Sequence, residues 1–118
     1  MGYTVFAKNL MLNELRDVIT AISLHTDDPG ATGINEVDGG GYARATVTAA
    51  DFVAADGGEV TLDDDVPFVG PPNSACGYFG LWAGSDFVGG GPITGDTTFN
   101  AEGDFVLKAP TMFDLNAV

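Results

Sequence analysis

The sequence predicts a mainly β fold, an antiparallel β-sandwich (jelly-roll-like) or a small barrel, with one N-terminal helix. Short apolar runs recur at roughly 8 to 12-residue spacing and are separated by Gly, Pro, Asn and Asp, the punctuation of antiparallel strands. Helical spacing of apolar residues occurs convincingly once, and a lone helix in a chain with 17 Gly and 6 Pro must pack on something β-rich. At 118 residues the chain reads as a single domain, 1–118, long enough to bury about two thirds of its unfolded surface.

The helix is expected over about 7–18, where Leu10, Leu12, Leu15 and Val18 recur among Lys8, Asn9, Asn13, Glu14, Arg16 and Asp17. Ile19 to Thr26 continues as a strand, with Ile22 and Leu24 on one face and the smaller Ala21 and Ser23 on the other. From Asp27 to Gly41 only Ile34 and Val37 are strongly apolar, so this is a long loop, and loops of about 15 residues in a compact domain are usually functional or interfacial. Tyr42 to Thr48 reads as a strand with one packed face, and Asp51 to Ala55 is ambiguous. Glu59 to Phe68 is a strand of mixed quality, interrupted by Asp63-Asp64-Asp65 and Pro67.

Val69 to Ser74 is a turn, since a Pro-Pro pair does not sit in a central strand. Cys76 to Ala83 is the most apolar strand, and Asp86 to Ile93 pairs with it across a two-residue turn at Gly84-Ser85. Gly89-Gly90-Gly91 inside the second of these implies a bulge or a close backbone approach. Thr97 to Asn100 and Asp104 to Lys108 complete the β pattern around Ala101-Glu102-Gly103, and 111–118 forms an edge strand or a C-terminal arm. Leu12, Leu15, Leu24, Phe79 and Trp82 are the expected core.

Formal net charge is −13, from thirteen Asp and four Glu against two Lys and two Arg, yet 45% of residues are hydrophobic and mean hydropathy is +0.16. That apolar content argues against disorder. The charge reads either as that of an ordinary acidic protein or as the product of a halophilic host, since self-repulsion of such a surface is largely silenced when the Debye length falls to about 3 Å near 1 M salt. Nucleic-acid binding is not expected without a basic patch. No apolar run reaches the roughly 20 residues of a membrane helix, so no membrane partner is expected. Cys76, the lone cysteine, is read as a small buried hydrophobe, with no intrachain disulfide to form.

The chemistry-bearing residues are few. Asp27-Asp28 and Asp63-Asp64-Asp65 lack the spacing of a calcium loop and read as solvated surface. His25 is the lone histidine, short of partners for a hydrolase or a zinc site, and reads as structural, its ring holding the 27–41 loop by hydrogen bonds. Arg44 stands out because positive charge is scarce. It is expected to fork onto Glu36 or Asp28 and lock the loop against the sheet, or else to face a neighbouring subunit. Gly39-Gly40-Gly41 lacks the Lys-Ser/Thr of a phosphate loop. No catalytic, cofactor-binding or metal residue is expected.

The segment Ser23-Leu24-His25-Thr26, then Asp28-Pro29-Gly30, Gly33, Asn35-Glu36-Val37, Gly39-Gly40 and Tyr42-Ala43-Arg44 resembles a motif of small minor structural virion proteins, tail-fibre-like or decoration-like, of tailed phages and archaeal tailed viruses. Ala7 to Leu12 is similar to the segment that opens their helix. Phe79-Gly80-Leu81-Trp82 and Gly89 to Ile93 are similar to their second half, with Gly80 and Leu81 inserted between the aromatics. The resemblance implies a structural role in a virion and transfers no catalytic site.

A compact β domain with long loops and no evident chemistry suits a repeated particle component, in which multiplicity makes weak contacts add up. The expected partners are further copies of itself, as a trimer or ring, and other virion proteins, with the protein made in the host cytoplasm and kept in the virion. The alternative is a receptor- or glycan-binding module displaying Tyr3, Phe6, Phe52, Phe99 or Phe113. A metal-dependent hydrolase is the weaker rival.

Overall fold

The computed structural model describes residues 3–108, and residues 112–114 at the level of strand pairing. Helix α1 (Val5–Val18) starts two residues earlier than its apolar spacing suggests, because Thr4 caps it: the Thr4 hydroxyl accepts from the Ala7 amide at 3.1 Å. Its last turn closes with the Ile19 amide on the Leu15 carbonyl, and the chain passes at once into extended backbone.

The strands are β1 (Ala21–His25), β2 (Ala45–Thr46), β3 (Glu59–Thr61), β4 (Val66–Val69), β5 (Tyr78–Ala83), β6 (Asp86–Pro92), β7 (Asp104–Leu107) and β8 (Met112–Asp114). All pairings are antiparallel: one four-stranded sheet in the order β2-β1-β5-β6, and two-stranded sheets β3-β8 and β4-β7. The fold is therefore mainly β with one N-terminal helix. Register puts Ile22 opposite Leu81 and Leu24 opposite Phe79 on the core face, and Ser23 opposite Gly80 on the other.

Buried apolar residues from the helix and all three sheets meet in one cluster that includes Leu12, Ile22, Leu24, Val60, Phe68, Phe79, Leu81, Phe99, Phe105 and Leu107. Leu15 packs half-buried against it. Leu10 and Val18, expected on the packed stripe, are exposed. The body that α1 rests on explains this. Residues 52–58 present backbone groups to it, and polar side chains meet them. Asn9 Oδ1 accepts from the Gly58 amide, Asn13 Oδ1 accepts from the Ala55 amide, and the Arg16 guanidinium donates twice to the Phe52 carbonyl, all at 2.9–3.1 Å.

Several expected strands come out differently. The strand expected at Tyr42–Thr48 shrinks to β2, because Tyr42 and Arg44 are drawn out of strand geometry towards Glu36. Residues 49–51 make a single 3₁₀ turn, in which Asp51 Oδ2 accepts from the Thr48 amide. The Glu59–Phe68 run divides at the three aspartates into β3 and β4, which join different sheets. Residues 97–100 give one bridge, Thr98 to Ala75, and β7 pairs with β4 instead. Asn100 is spent on the turn into β7, its side-chain oxygen accepting from the Glu102 and Asp104 amides. Within 111–118, Met112–Asp114 pairs with β3; residues 111 and 115–118 lie outside the described residues.

The β5–β6 hairpin turns at Gly84-Ser85, with Gly84 at φ +62°. A bulge follows, since Leu81 faces Gly89 while Trp82 faces Phe87, leaving Val88 as the extra residue. Gly80 is required for a different reason. A Cβ there would lie 2.5 Å from Ser23 Oγ and 2.7 Å from His25 Nε2, both fully buried. Gly80→Ala is therefore expected to destabilise the fold by about 1–3 kcal/mol, the usual range for overpacking. Urea unfolding checks this, and an unchanged midpoint would contradict the packing described.

Candidate functional site

The second face of the four-stranded sheet is covered by residues 26–44. Every position of β1 after Ala21 is buried, so the strand's polar side chains, Ser23 and His25, are both shut away from water and must find partners inside. Trp82 Nε1 donates to Ser23 Oγ at 2.8 Å, and Ser23 Oγ lies 2.7 Å from His25 Nε2. His25 Nδ1 lies 2.8 Å from the Ile34 carbonyl. A carbonyl only accepts, so Nδ1 carries the proton; burial disfavours the charged ring, and in the neutral form Nε2 accepts from the Ser23 hydroxyl. Burial, the largest influence, lowers the His25 pKa from its ordinary value; the Ile34 carbonyl and Glu36 oppose the shift and Arg44 adds to it.

Residues 26–37 return along β1 on its β2 side, where β2 pairs only with Ala21 and Ile22 and leaves the rest of the strand open. The Thr26 amide donates to the Asn35 carbonyl and the Val37 amide to the Leu24 carbonyl, both at 2.9 Å, and Glu36 bridges to His25. The turn between is built as its sequence suggests. Asp28 Oδ1 accepts from the Gly30 amide, Gly30 sits at φ +61°, and the Pro29 carbonyl accepts from the Gly33 and Ile34 amides. Pro29 itself is buried. Gly33 lies so close to Trp82 that a Cβ would approach its ring to 2.8 Å.

Arg44 fastens the far end. Its Nε and Nη2 donate to the two carboxylate oxygens of Glu36 at 3.0 and 2.9 Å, a bidentate fork, and its Cζ lies 3.6 Å from the Trp82 ring centroid. Of the two partners weighed for Arg44, Glu36 is the one engaged; Asp28 serves its own turn. Tyr42 completes the joint, donating to Glu36 Oε2 at 2.9 Å and accepting from the Leu24 amide at 2.8 Å. Burial pushes the Glu36 carboxyl up, but Arg44 and Tyr42 outweigh it and hold the group below its ordinary value. The hydrogen bonds that Arg44 donates to Glu36 are the leading cause of its raised pKa. Burial leads in raising the Tyr42 hydroxyl, which therefore stays protonated as a donor.

The structure thus brings His25, Pro29, Glu36, Tyr42, Arg44 and Trp82 together, with Asp28 and Gly30 shaping the turn. Leu12, Leu15, Leu24 and Phe79 lie on the opposite face, in the main cluster. Trp82 is buried too, but with Phe87, its ring centroid 5.1 Å away, beneath the 26–44 segment. Ser23, Gly33 and Gly80, which the sequence places in its motif segments without a role, and Phe87, which it does not single out, also belong to this joint. Ser23 and Gly80 left a faint trace as small residues at strand positions where a solvated face would carry larger polar ones.

Elsewhere the chemistry is quiet. Cys76 is fully buried, and burial, with Asp96 adding, pushes its thiol up to about 12. Among the described residues no three His, Cys, Asp or Glu side chains are placed to hold a metal ion. Of the aromatics expected on a binding surface, Phe52 and Phe99 are buried core residues, Tyr3 and Phe6 are exposed, and the Phe113 side chain lies outside the described residues. No described helix is long and apolar enough to cross a membrane.

The buried neutral histidine sets a pH dependence. Its folded-state pKa is below the unfolded value of about 6.5, so the unfolded chain takes up the proton first and stability falls as pH drops below about 6.5, by at most about 1.4 kcal/mol per pH unit. Glu36, also lowered, adds a second loss below its ordinary value of 4.5, as pH falls towards the folded-state value. The denaturation midpoint in 0.5 M salt is therefore expected to drop between pH 7 and pH 5.5, and His25→Gln to flatten that drop. Equal slopes for the two proteins would contradict the assignment.

One family description, "Podophage GP4 fiber I protein gp80", matches residues 16–102. No curated protein and no solved structure matches significantly. The match takes in β1, the 26–44 segment, β5 and β6, which together build the joint around Arg44, and the chain belongs to the podophage GP4 fiber I protein gp80 family.

Proposed function

We propose that this chain is a non-enzymatic structural component of a tailed virus particle, made in the host cytoplasm and assembled as symmetric copies, with other virion proteins, on the capsid or the tail. The observation that carries the reading is membership of a phage fibre family across most of the described fold. The geometry agrees with it. The groups that could do chemistry, His25, Glu36, Tyr42 and Arg44, are spent on one another and on fastening a segment to a sheet. A surface of charge −13 favours a component that keeps apart from its copies until salt or neighbours screen it, and its aspartate excess supports a halophilic host.

The receptor- or glycan-binding alternative loses Phe52 and Phe99 to the core and retains Tyr3 and Phe6 on the surface. Gold-labelled antibody against the chain, imaged on purified particles by electron microscopy, tests the proposal. Label on tails makes it a tail or adsorption component, and label on heads a capsid-decorating one. Particles without label overturn the structural reading.

A further inference from the structure

Residues 51–65 carry six carboxylates, Asp51, Asp56, Glu59, Asp63, Asp64 and Asp65. Their hairpin pairs in a way that sets like charges against each other. Gly57 and Gly58, at φ +60° and +81°, make a two-residue turn, and Asp56 and Glu59 exchange both backbone hydrogen bonds across it at 3.0 Å. Residues paired in this way lie directly opposite, on one face of the strands. Further along, the Phe52–Leu62 bridge brings Asp51 beside Asp63, whose amide donates to the Asp51 carbonyl at 2.9 Å. The register of β3 with β8 sets Glu59 opposite a further acidic position, Asp114. Like charges directly opposite on paired strands are destabilising, and no ion pair offsets these. Among the described residues the ion pairs are Arg44 with Glu36 and Lys108 with Asp65, so neither reaches Asp51, Asp56, Glu59 or Asp63. Arg16 is turned to the Phe52 carbonyl, and Lys8 lays its stem along Gly58.

The same hairpin is the seat of the N-terminal helix. The main neighbours of α1 are β3 and the 3₁₀ turn at 49–51. The Phe52 carbonyl and the Ala55 and Gly58 amides are the groups to which Arg16, Asn13 and Asn9 bond, and Leu12 of α1 and Val60 of β3 are fully buried in the common core. We infer that the 51–65 hairpin is a salt-dependent latch for α1, closed at high ionic strength and the first part of the fold to open at low ionic strength. Distance decides this. Directly opposed residues lie about 5 Å apart, inside the Debye length of about 10 Å at 0.1 M salt and beyond that of about 3 Å at 1 M. Salt therefore silences most of the repulsion within the hairpin. The 26–44 segment has no such weakness, because at the corresponding place it carries the attraction of Arg44 for Glu36. Opening the hairpin parts the facing carboxylates and withdraws the seat from under α1. The latch concerns the chain by itself and stands apart from the virion reading.

Native-state amide exchange at Val53, Ala55, Gly58 and Asp63, compared with the amides of β5 in 0.1 M and 1 M NaCl, tests the latch. These four amides bond within the hairpin or to α1. On passing from 1 M to 0.1 M salt their opening equilibrium is expected to grow about fivefold relative to β5, the order that two opposed like-charge pairs carry between those screening lengths. Asp56→Asn with Glu59→Gln should remove most of that response. Asp38→Asn with Asp86→Asn, which takes the same charge from other parts of the surface, should leave it in place. A hairpin that opens no more than β5 in 0.1 M salt overturns the latch. So does a response that Asp38→Asn with Asp86→Asn flattens as much as the hairpin substitutions, since the charge of the whole surface would then be its source.

Discussion

Strand β1 is buried on both faces, and the rest of the structure is arranged around that constraint. Ile22 and Leu24 on one face need only apolar neighbours. Ser23 and His25 on the other carry polar atoms whose burial without partners costs about 1–3 kcal/mol each. Trp82 Nε1 satisfies Ser23, Ser23 satisfies one imidazole nitrogen, and only the Ile34 carbonyl, arriving from outside the sheet, satisfies the other. The 26–44 segment is thus part of the fold's hydrogen-bond accounting, and its long excursion is a lid over a polar face.

Holding such a segment down requires directional contacts, because its own apolar content is small. Glu36 is the hub: two donors from Arg44, one from Tyr42, and a backbone bridge to His25. Arg44 also lies over the Trp82 ring, which shields one side of the ion pair from solvent. A fully exposed ion pair contributes little, as with Lys108 and Asp65 at 3.5 Å on the surface. The Glu36–Arg44 fork is bidentate and partly buried against an aromatic, the geometry in which such a pair counts for more.

Much of this was legible in the residues. A chain with four cations makes each one conspicuous, so Arg44 and its carboxylate partner could be picked out, and a lone histidine at a strand end pointed to a structural ring. The hairpin at Gly84-Ser85 followed from turn chemistry. What was hidden depended on distant partners. The polar inner side of α1 makes sense only once residues 52–58 offer backbone groups to it, and helical periodicity reports apolar spacing without saying which side faces inward. Likewise β7 was assigned to its neighbour in sequence because local signals mark a strand but not its mate. Trp82 looked like ordinary core, and its role as lid floor and hydrogen-bond donor depends on Ser23, which is 59 residues away in the chain. The fibre family to which the chain belongs gives this arrangement its setting, since the match spans the 26–44 segment and the strands beneath it.

The claim that the 26–44 segment is integral to the fold is tested most directly by native-state amide hydrogen exchange at Thr26 and Val37, whose amides close the segment on itself and bond it to Leu24 of β1, compared with amides of β5. The account predicts that both exchange with opening free energies close to those of β5, through the same cooperative unfolding. Exchange at Thr26 and Val37 near the unprotected rate, with β5 still protected, would show a lid that opens independently and would contradict it.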